Sequence, residues 1–257
     1  MRAIVCSALV AALLVPASHA NAQSAATATE IRVLSPGVTS NAGLQDLAAA
    51  FTKETGTKVT IVGSGMGRIV NDAKTLPDAP DVLMLPLELM ASLSLDGGIK
   101  GPWTPLGRTE MGLAVPAGAP HPDISTVEKL AAVLKSAKAV MRSNPAGGSM
   151  VASVIENKVI KRPEFAGVNS PVSTKGEGGQ ALARGEGDMA LQAICEILPY
   201  KELSLVGKLP RELGAWIDMS TAVSARSTKA DQAGAFIRYI TRPEAGGIWK
   251  AKGLDRF

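Results

Sequence analysis

The sequence predicts an α/β protein made of two doubly wound lobes with a ligand cleft between them. Three observations predict this fold class. Short apolar strands alternate with amphipathic helices along most of the chain, glycine-rich turns follow several of the strands, and one strand, "APDVLMLP", is apolar almost throughout. A strand of that composition is typical of a parallel sheet that helices cover on both faces.

The first residues have the composition of a secretory signal peptide. Arg2 supplies a positive charge, Ile4 to Val15 form an apolar segment, and small residues follow up to Ala22. The apolar segment is too short for a stable membrane span. We therefore expect residues 1–22 to be removed on export to the periplasm, and the exported protein to be a monomer that is not embedded in a membrane.

The first part of the exported chain predicts the order β-α-β-α-β. The first helix is expected to have Ser40 or Asn41 as its N-cap and to end at Gly56, which can adopt the left-handed conformation of a helix stop. The second helix begins at a glycine-rich turn. In order, the five predicted elements are "EIRVLSPG", "NAGLQDLAAAFTKETG", "TKVTIVG", "SGMGRIVNDAKTL" and "APDVLMLP".

The middle of the chain repeats this alternation after a crossing at "GRTEMGLAVPAGAPHPD", and a second crossing near "LGAWIDMSTAVSA" leads to a last helix. The two crossings predict one lobe from residues 30–114 and 218–257, and another from residues 115–217. The elements expected after the first crossing are "ISTVEKLAAVLKSA", "KAVMRSNPAGGSM", "MVASVIENKVI", "SPVSTKGEGGQALARGEG", the apolar strand "DMALQAICEI" and the last helix "KADQAGAFIRYITRPEAGGIWKAKG".

The inventory of reactive residues excludes several classes of protein. After removal of the signal peptide the chain keeps one cysteine, Cys195, and one histidine, His121, so we expect no internal disulfide, no metal site and no cofactor. No nucleophile motif such as G-x-S-x-G lies near His121. Aromatic residues make up only 4% of the chain and the basic residues are scattered, which argues against nucleic acid as a partner.

Seven segments, taken in order, carry a resemblance to a known family. They are "RVLSPG", "LQDLAAAFTKETGTKVTIVGSG", "APDVLMLP", "GLAVPAGAPHPDISTVEKL", "SNPAGGS", "ALARGEGDMALQAICEILP" and "AGAFIRYITRPEAGGIWKAKGL". Together they resemble the extracellular solute-binding proteins related to the periplasmic molybdate-binding proteins. The resemblance covers nearly the whole exported chain. It implies a type II periplasmic binding-protein fold, a ligand held between two lobes, and an ABC-transporter permease as the usual partner.

Two turns depart from the molybdate-binding pattern. Molybdate binders resemble one another in an "AAASL" turn and an "SSG" turn, where this chain has "LSPGVTSNAG" and "VGSGMG". The first of these turns, the "APHPDIS" loop and the segment "ARGEGDMALQAICE" resemble instead a divergent branch of the family. That branch includes aconitate isomerase, an enzyme that moves a double bond in a tricarboxylate, so the resemblance implies either a binding protein or an isomerase.

Four turns that precede predicted helices form the expected anion site. They cover residues 35–41, 63–67, 143–149 and 174–179. Free N–H groups at a helix start suit carboxylates and oxyanions, and serine or threonine adds a hydroxyl donor. A purely structural role stays open for each turn, because such turns are common in α/β proteins. The expected ligand-binding residues are Thr39, Ser40, Ser64, Gly65, Arg68, Arg142, Asn144, Ser149 and Gln192.

The arginines favour an organic acid over molybdate or tungstate, because a guanidinium can bind a carboxylate with two parallel hydrogen bonds. The alternatives are a solvated helix face for Arg68 and an ion pair for Arg142. If the cleft isomerises its ligand, Glu88, Glu196 or a lysine is the candidate base. Glu196 is expected on the same strand face as Gln192. The sequence thus predicts a periplasmic protein that binds a small anion, with an aconitate-isomerase-like enzyme as the alternative.

Overall fold

A computed structural model describes residues 29–257, and the predicted signal peptide lies outside them. The described chain forms one mixed sheet with the strand order β2-β1-β3-β8-β4-β6-β5, and β7 pairs with β4 outside this order. The strands are β1 (Glu30–Ser35), β2 (Lys58–Gly63), β3 (Val82–Pro86), β4 (Ile99–Pro116), β5 (Val140–Met141), β6 (Met189–Ala193), β7 (Leu203–Lys208) and β8 (Trp216–Ser224).

The long strand β4 links two groups of strands. From Ile99 to Glu110 it pairs with β8, which continues to β3, β1 and β2; these four strands are the first group. From Met111 onward β4 pairs with β6 and β7, which with β5 form the second group. The pairs β1–β2, β1–β3 and β5–β6 are parallel, and every residue of β3 is buried. The predicted α/β class is confirmed.

Ten short α-helices connect and cover the strands. None of those in residues 29–257 has both the length and the apolarity that crossing a bilayer requires. The helices are α1 (Gly37–Thr39), α2 (Gln45–Thr55), α3 (Ile69–Thr75), α4 (Leu87–Leu95), α5 (Val127–Ser136), α6 (Met150–Ile155), α7 (Gly178–Ala183), α8 (Ile194–Ile197), α9 (Ala230–Thr241) and α10 (Gly246–Ala251).

The first helix begins earlier than the sequence predicts. Pro36 is extended and α1 starts at Gly37, so Ser40 and Asn41 lie inside the helical segment and not at its N-cap. A π-helical turn, Ser40–Leu44, joins α1 to α2, and the chain kinks at Gly43, whose φ is 122°. A side chain at Gly43 would meet Ile248, so glycine permits both the kink and the close packing. The helix ends at Gly56, as predicted.

Other predicted elements also differ from the structure. The apolar run "DMALQAICEI" is a strand only to Ala193, and α8 follows it, because a continuous apolar run does not distinguish a strand from a buried helix. The expected crossing "LGAWIDMSTAVSA" contains a central strand, β8. The last helix is broken at Pro243, which has no amide hydrogen to donate. Helix α4, strand β7 and the first part of β4 were not predicted.

One hydrophobic cluster extends through both groups of strands. It contains Phe51 of α2, Leu130 of α5 and Trp249 of α10. Leu106 and Met111 of β4, the strand that both groups share, belong to the same cluster. Full burial of each such side chain contributes roughly 1.5–3 kcal/mol relative to exposure. Packing therefore holds the turns that follow the strands in fixed positions relative to one another.

Candidate functional site

A cavity of about 160 Å³ lies where turns from the two groups of strands meet. All four glycine-rich turns that the sequence singles out contribute to its wall, and α8 and the first turn of α6 complete it. The lining residues are Pro36, Gly37, Ser64, Gly65, Met66, Gly148, Ser149, Val151, Glu177 and Glu196.

The parallel pairing of β1 and β2 brings the first two turns together. Both strands end at the same edge of the sheet, with Ser35 opposite Gly63. The Ser64 amide then donates a hydrogen bond to the Ser35 carbonyl oxygen over 3.1 Å. The start of α1 and the Ser64–Met66 turn consequently lie side by side, at the carboxyl ends of parallel strands where α/β proteins commonly bind ligands.

The third and fourth turns come from the second group of strands. Ser149 is the N-cap of α6, and its hydroxyl accepts a hydrogen bond from the Ala152 amide over 3.2 Å. Glu177 is the N-cap of α7 and forms a reciprocal capping box with Gln180. Local helix capping thus fixes the position of one hydroxyl and one carboxyl group on the cavity wall.

A hydrogen-bonded network connects the two glutamates of the wall. Gln192 donates from Nε2 to Oε2 of Glu196 over 2.5 Å and to Oε2 of Glu177 over 3.3 Å. Its Oε1 accepts a hydrogen bond from the Ser143 hydroxyl over 3.0 Å, and the Gly178 amide donates to the same hydroxyl oxygen. Because Ser143 engages the amide oxygen, the amide NH₂ group of Gln192 is directed at the acids.

The surroundings of the two acids favour their neutral forms. Burial, and secondarily the negative charge of Glu177, raises the pKa of Glu196 to about 8, although the hydrogen bond from Gln192 acts in the opposite direction. Burial also raises the pKa of Glu177. The neighbouring thiol of Cys195 is fully buried, and burial raises its pKa, so it is not a reactive nucleophile.

The structure places Ser64, Gly65, Ser149 and Gln192 in or beside the cavity. Ser64, Gly65 and Ser149 line it, and Gln192 is buried directly behind Glu177 and Glu196. Ser64 donates its hydroxyl hydrogen to Oδ2 of Asp72 over 2.6 Å. Ligand binding by these residues stays a prediction.

Three other predicted residues do not line the cavity. Thr39 is buried, and its Oγ1 has no hydrogen-bond partner among the described residues. Ser40 bonds to Ser35 and lines a separate open groove between α2 and β2. Asn144 caps its own turn by accepting a hydrogen bond from the Ala146 amide over 3.0 Å.

Neither predicted arginine lines the cavity, because each is paired with a carboxylate elsewhere. The side chain of Arg68 is 73% exposed and lies 3.2 Å from Asp72, one helical turn away. Arg142 forms an ion pair with Glu156 at 2.6 Å. The expected guanidinium grip on a ligand carboxylate is therefore absent from the described wall.

The candidate bases are also separated. Glu88 lines a different cavity of about 380 Å³, together with Trp216 and Asp218, whereas Glu196 lines the cavity described here. Glu196 lies on α8 and not on a strand, although it does contact Gln192 as expected. Glu177 was missed. Its position directly before Gly178 and Gly179, at a predicted helix start, was the signal that could have identified it.

The chemical character of the wall is a set of main-chain and hydroxyl groups beside two carboxyl groups. No basic side chain is among the ten lining residues. The described chain also contains no cluster of three or more His, Cys, Asp or Glu residues that could hold a metal ion. Such a wall can accept hydrogen bonds from a ligand and, when a glutamate is protonated, donate one from it.

Comparisons with known proteins agree with this architecture. The family model described as "Bacterial extracellular solute-binding protein" matches residues 31–255. A relative from a Pseudomonas species, named aconitate isomerase, is 25% identical over 231 residues, covering 88% of this chain and 87% of the relative.

Solved structures are similar at lower sequence identity. The periplasmic molybdate-binding protein of Azotobacter vinelandii matches with a TM-score of 0.66 and 17% identity, over 87% of this chain and 98% of the other. Peb3 from Campylobacter jejuni matches with a TM-score of 0.64 and 19% identity, over 88% and 100% of the two chains. These similarities confirm the predicted type II periplasmic binding-protein fold.

Proposed function

Since the chain belongs to the bacterial extracellular solute-binding proteins, we propose that it binds a small organic acid in the cavity between its two groups of strands. The observation that carries this proposal is the composition of the wall. Main-chain and hydroxyl groups from four turns surround the cavity beside Glu177 and Glu196. Pockets that bind drug-sized ligands measure roughly 300–1,000 Å³. The volume of about 160 Å³ in this protein therefore suits a smaller ligand.

The two glutamates favour an organic acid over molybdate or tungstate. Molybdate and tungstate can only accept hydrogen bonds, so they would leave the acceptor oxygens of the two carboxyl groups without a donor. An organic acid can also carry hydroxyl groups that donate to these oxygens. PEB3, whose fold this chain shares, has been solved with L-phospholactate bound, which supports a small organic acid as the occupant.

The wider role follows from the family. We propose that residues 1–22 direct export to the periplasm, and that the monomeric exported protein delivers its ligand to an ABC-transporter permease. The two lobes would rotate about the segments where β4 changes partners near Met111 and where the chain returns between Lys208 and Trp216. These segments lie close to the expected lobe boundaries at residues 114 and 217.

A thermal-shift screen tests the binding proposal. Succinate, L-malate, citrate, tricarballylate and trans-aconitate would be compared with molybdate, tungstate, sulfate and phosphate, and each hit would be measured by calorimetry. We expect one or more organic acids to stabilise the protein with a dissociation constant at least tenfold below that of any inorganic oxyanion. Stabilisation by molybdate or tungstate alone would contradict the proposal.

A pair of glycine variants locates the binding site. Gly65 lines the cavity and Gly63 does not, yet a Cβ atom at either position would meet no neighbour within 4 Å. Gly65→Val should therefore fill the cavity and weaken binding more than tenfold, while Gly63→Val should leave the dissociation constant unchanged. Equal effects of the two substitutions would place the ligand elsewhere.

A second candidate function is isomerisation of a tricarboxylate. It is favoured by a specific observation: Glu196 and Glu177, two acids of raised pKa, lie on one cavity wall, and a relative is named aconitate isomerase. One glutamate in its ionised form would remove an allylic proton from the substrate. A proton from the other would be returned at the far carbon of the double bond, with no net oxidation or reduction.

Turnover distinguishes the two functions. Purified protein would be incubated with trans-aconitate, and the products followed by proton NMR. An isomerase should form cis-aconitate, and Glu196→Gln should slow the reaction at least 100-fold while Glu202→Gln, on the exposed surface, leaves the rate unchanged. A protein that binds trans-aconitate without forming product is a binding protein.

A further inference from the structure

Glu196 has one carboxyl oxygen committed to the protein and one free to meet a ligand. The residue is only 4% exposed, and its Oε2 accepts the 2.5 Å hydrogen bond from Gln192. Its Oε1 has no hydrogen-bond partner among the described residues. The same atom lies 3.5 Å from where a Cβ of Gly37 would stand, and both residues line the cavity. A buried residue thus presents an unpartnered carboxyl oxygen at the cavity wall.

Glu177 and Glu196 both accept hydrogen bonds from the side-chain NH₂ group of Gln192. Nε2 of Gln192 is within 2.5 Å of Glu196 and 3.3 Å of Glu177, and Ser143 holds the amide in this orientation. If both acids were ionised, two negative charges would share the Gln192 donor in a buried place, with no cation beside it among the described residues. Like charges so close disfavour double ionisation, and a single shared proton relieves the repulsion.

The elements packed against α8 bring no cation to this pair. Helix α1, the Ser40–Leu44 turn and β6 contain no titratable residue. Strand β4 carries Lys100, Arg108 and Glu110, and β7 carries Lys208. Glu110 and Lys208 pair with each other and, with Lys250 and Asp255, line a different cavity beside Ile194 and Leu198. Glu177 is the charged group that faces Glu196, and Cys195 is its titratable chain neighbour.

On the basis of the proposed function, we propose that an organic acid binds in this cavity when the Glu177–Glu196 pair holds one proton. Glu196 carries the proton on the oxygen that faces the cavity and donates a hydrogen bond to a carboxylate of the ligand. The proton is taken from solvent and no covalent bond is formed. The neutral acid replaces the arginine that the sequence led us to expect, so the pair contributes one negative charge instead of two.

The proposal predicts how affinity changes with pH. Because burial raises the pKa of Glu196 to about 8 in the empty cavity, the acid is already protonated below that pH and binding should be insensitive to pH there. Above pH 8 the proton must be taken up with the ligand, so the dissociation constant should rise tenfold per pH unit. At pH 9 calorimetry in two buffers of different ionisation enthalpy should show uptake approaching one proton.

The experiment uses the exported protein and the tightest binder among succinate, citrate and tricarballylate, which are mostly ionised at pH 7 and fully ionised at pH 9, and which have no double bond to move. Glu196→Gln keeps a donor at every pH, so its dissociation constant should stay within twofold between pH 7 and 9, with no proton uptake. Glu202→Gln, on the exposed surface, should behave as wild type.

The outcomes separate the two proposals. If none of the acids in the screen binds, the proposed function itself fails, and this inference fails with it. If an acid binds with no proton uptake at pH 9 and a flat affinity profile in the wild type, only the shared proton is refuted. A pH dependence that persists in Glu196→Gln would also refute it. Should that variant fail to fold, proton uptake by the wild type decides.

Discussion

At the scale of single residues, the fold determines the chemistry of Glu196. No residue from 29 to 257 places a cation on its side of the cavity wall, and α8 and β6 hold the side chain against Gln192. Burial favours the neutral acid, whereas the unfolded chain would ionise it near its ordinary pKa of 4.5. The protein therefore retains an acid where a neutral amide would fit the buried surroundings equally well, which is typical of a functional position.

The raised pKa of Glu196 predicts a pH-dependent stability. The contribution of Glu196 to the free energy of unfolding is fully present below about pH 4.5. It is lost as the pH rises towards 8, because the residue ionises in the unfolded chain before it ionises in the folded protein. Glu196→Gln removes this loss. We expect the variant to be roughly 2–4 kcal/mol more stable than wild type at pH 8, with a smaller difference at pH 5, by chemical denaturation. Equal pH profiles for both proteins would contradict the assignment.

Asp72 illustrates the opposite case, in which hydrogen bonds stabilise the ionised form. The Ser64 hydroxyl, and then Arg68, lower the pKa of this carboxyl group. The stabilisation is present above about pH 3.8 and is lost as the pH falls below it. The ion pair with Asp72, one helical turn away, also holds Arg68 at the surface and so explains why Arg68 does not line the cavity.

Asp72→Asn should therefore destabilise the protein at pH 7 by about 0.5–1.5 kcal/mol, the usual net value of a lost hydrogen bond. The loss should be smaller at pH 3 than at pH 7, because below about pH 3.8 the unfolded chain is protonated first and the advantage of the ionised native form begins to disappear. Asp78→Asn is a suitable control, because Asp78 is 74% exposed and, among the described residues, its partner is Arg32 at 3.4 Å. Denaturant unfolding at the two pH values measures both variants, and a loss independent of pH would contradict the expectation.

At the scale of elements, two glycine turns meet at the rim of the cavity. A Cβ atom at Gly67, before α3, would lie 2.9 Å from both the Cα and the carbonyl oxygen of Gly148, before α6. Because these are main-chain atoms, a side chain at Gly67 could be accommodated only if the main chain moved. The contact joins a turn of the first group of strands to a turn of the second, and the residues beside it, Met66 and Ser149, line the cavity.

Gly67→Ala should hold these two turns apart and weaken ligand binding about tenfold or more, because the rim would no longer close. Its unfolding free energy should fall by about 1–3 kcal/mol, since main chain must move to admit the Cβ atom, although the φ angle of Gly67 suits alanine. Gly63→Ala meets no neighbour within 4 Å and provides the control. Calorimetry and thermal denaturation of both variants test this, and unchanged affinity in Gly67→Ala would show that the contact is not part of the closed site.

The sequence predicts elements well where a local pattern decides them. Gly56 stops α2, and "APDVLMLP" forms a buried strand, because a left-handed residue and an apolar run each suffice. It fails where tertiary packing decides: Ala193 ends a strand inside an apolar run, and Pro36 moves a helix start by several residues. The same distinction applies to the site. Glycine turns revealed four parts of its wall, whereas the pairing of Arg142 with Glu156 depends on distant residues that no spacing shows.

At the scale of the whole molecule, the two groups of strands are not separate cores. Strand β4 belongs to both, and the same hydrophobic cluster contains Leu47 of α2 and Leu134 of α5. Around the return segment, Leu213 and Ile217 belong to that cluster as well. Movement of the lobes about these segments must therefore preserve a continuous apolar contact, which favours small rotations over wide opening.

A continuous core also predicts how the protein unfolds. If each group had its own core, α2 and α5 could lose structure at different denaturant concentrations; sharing one cluster, they should unfold together. We expect far-UV circular dichroism and tryptophan fluorescence, which reports on buried Trp249, to give coincident transitions. Hydrogen exchange should show residues 45–55 and 127–136 losing protection at the same denaturant concentration.

Met111→Ala removes a buried side chain where β4 changes partners and should lower stability by about 2–5 kcal/mol. It should shift both segments equally, whereas earlier exposure of one segment would mean that the groups fold independently.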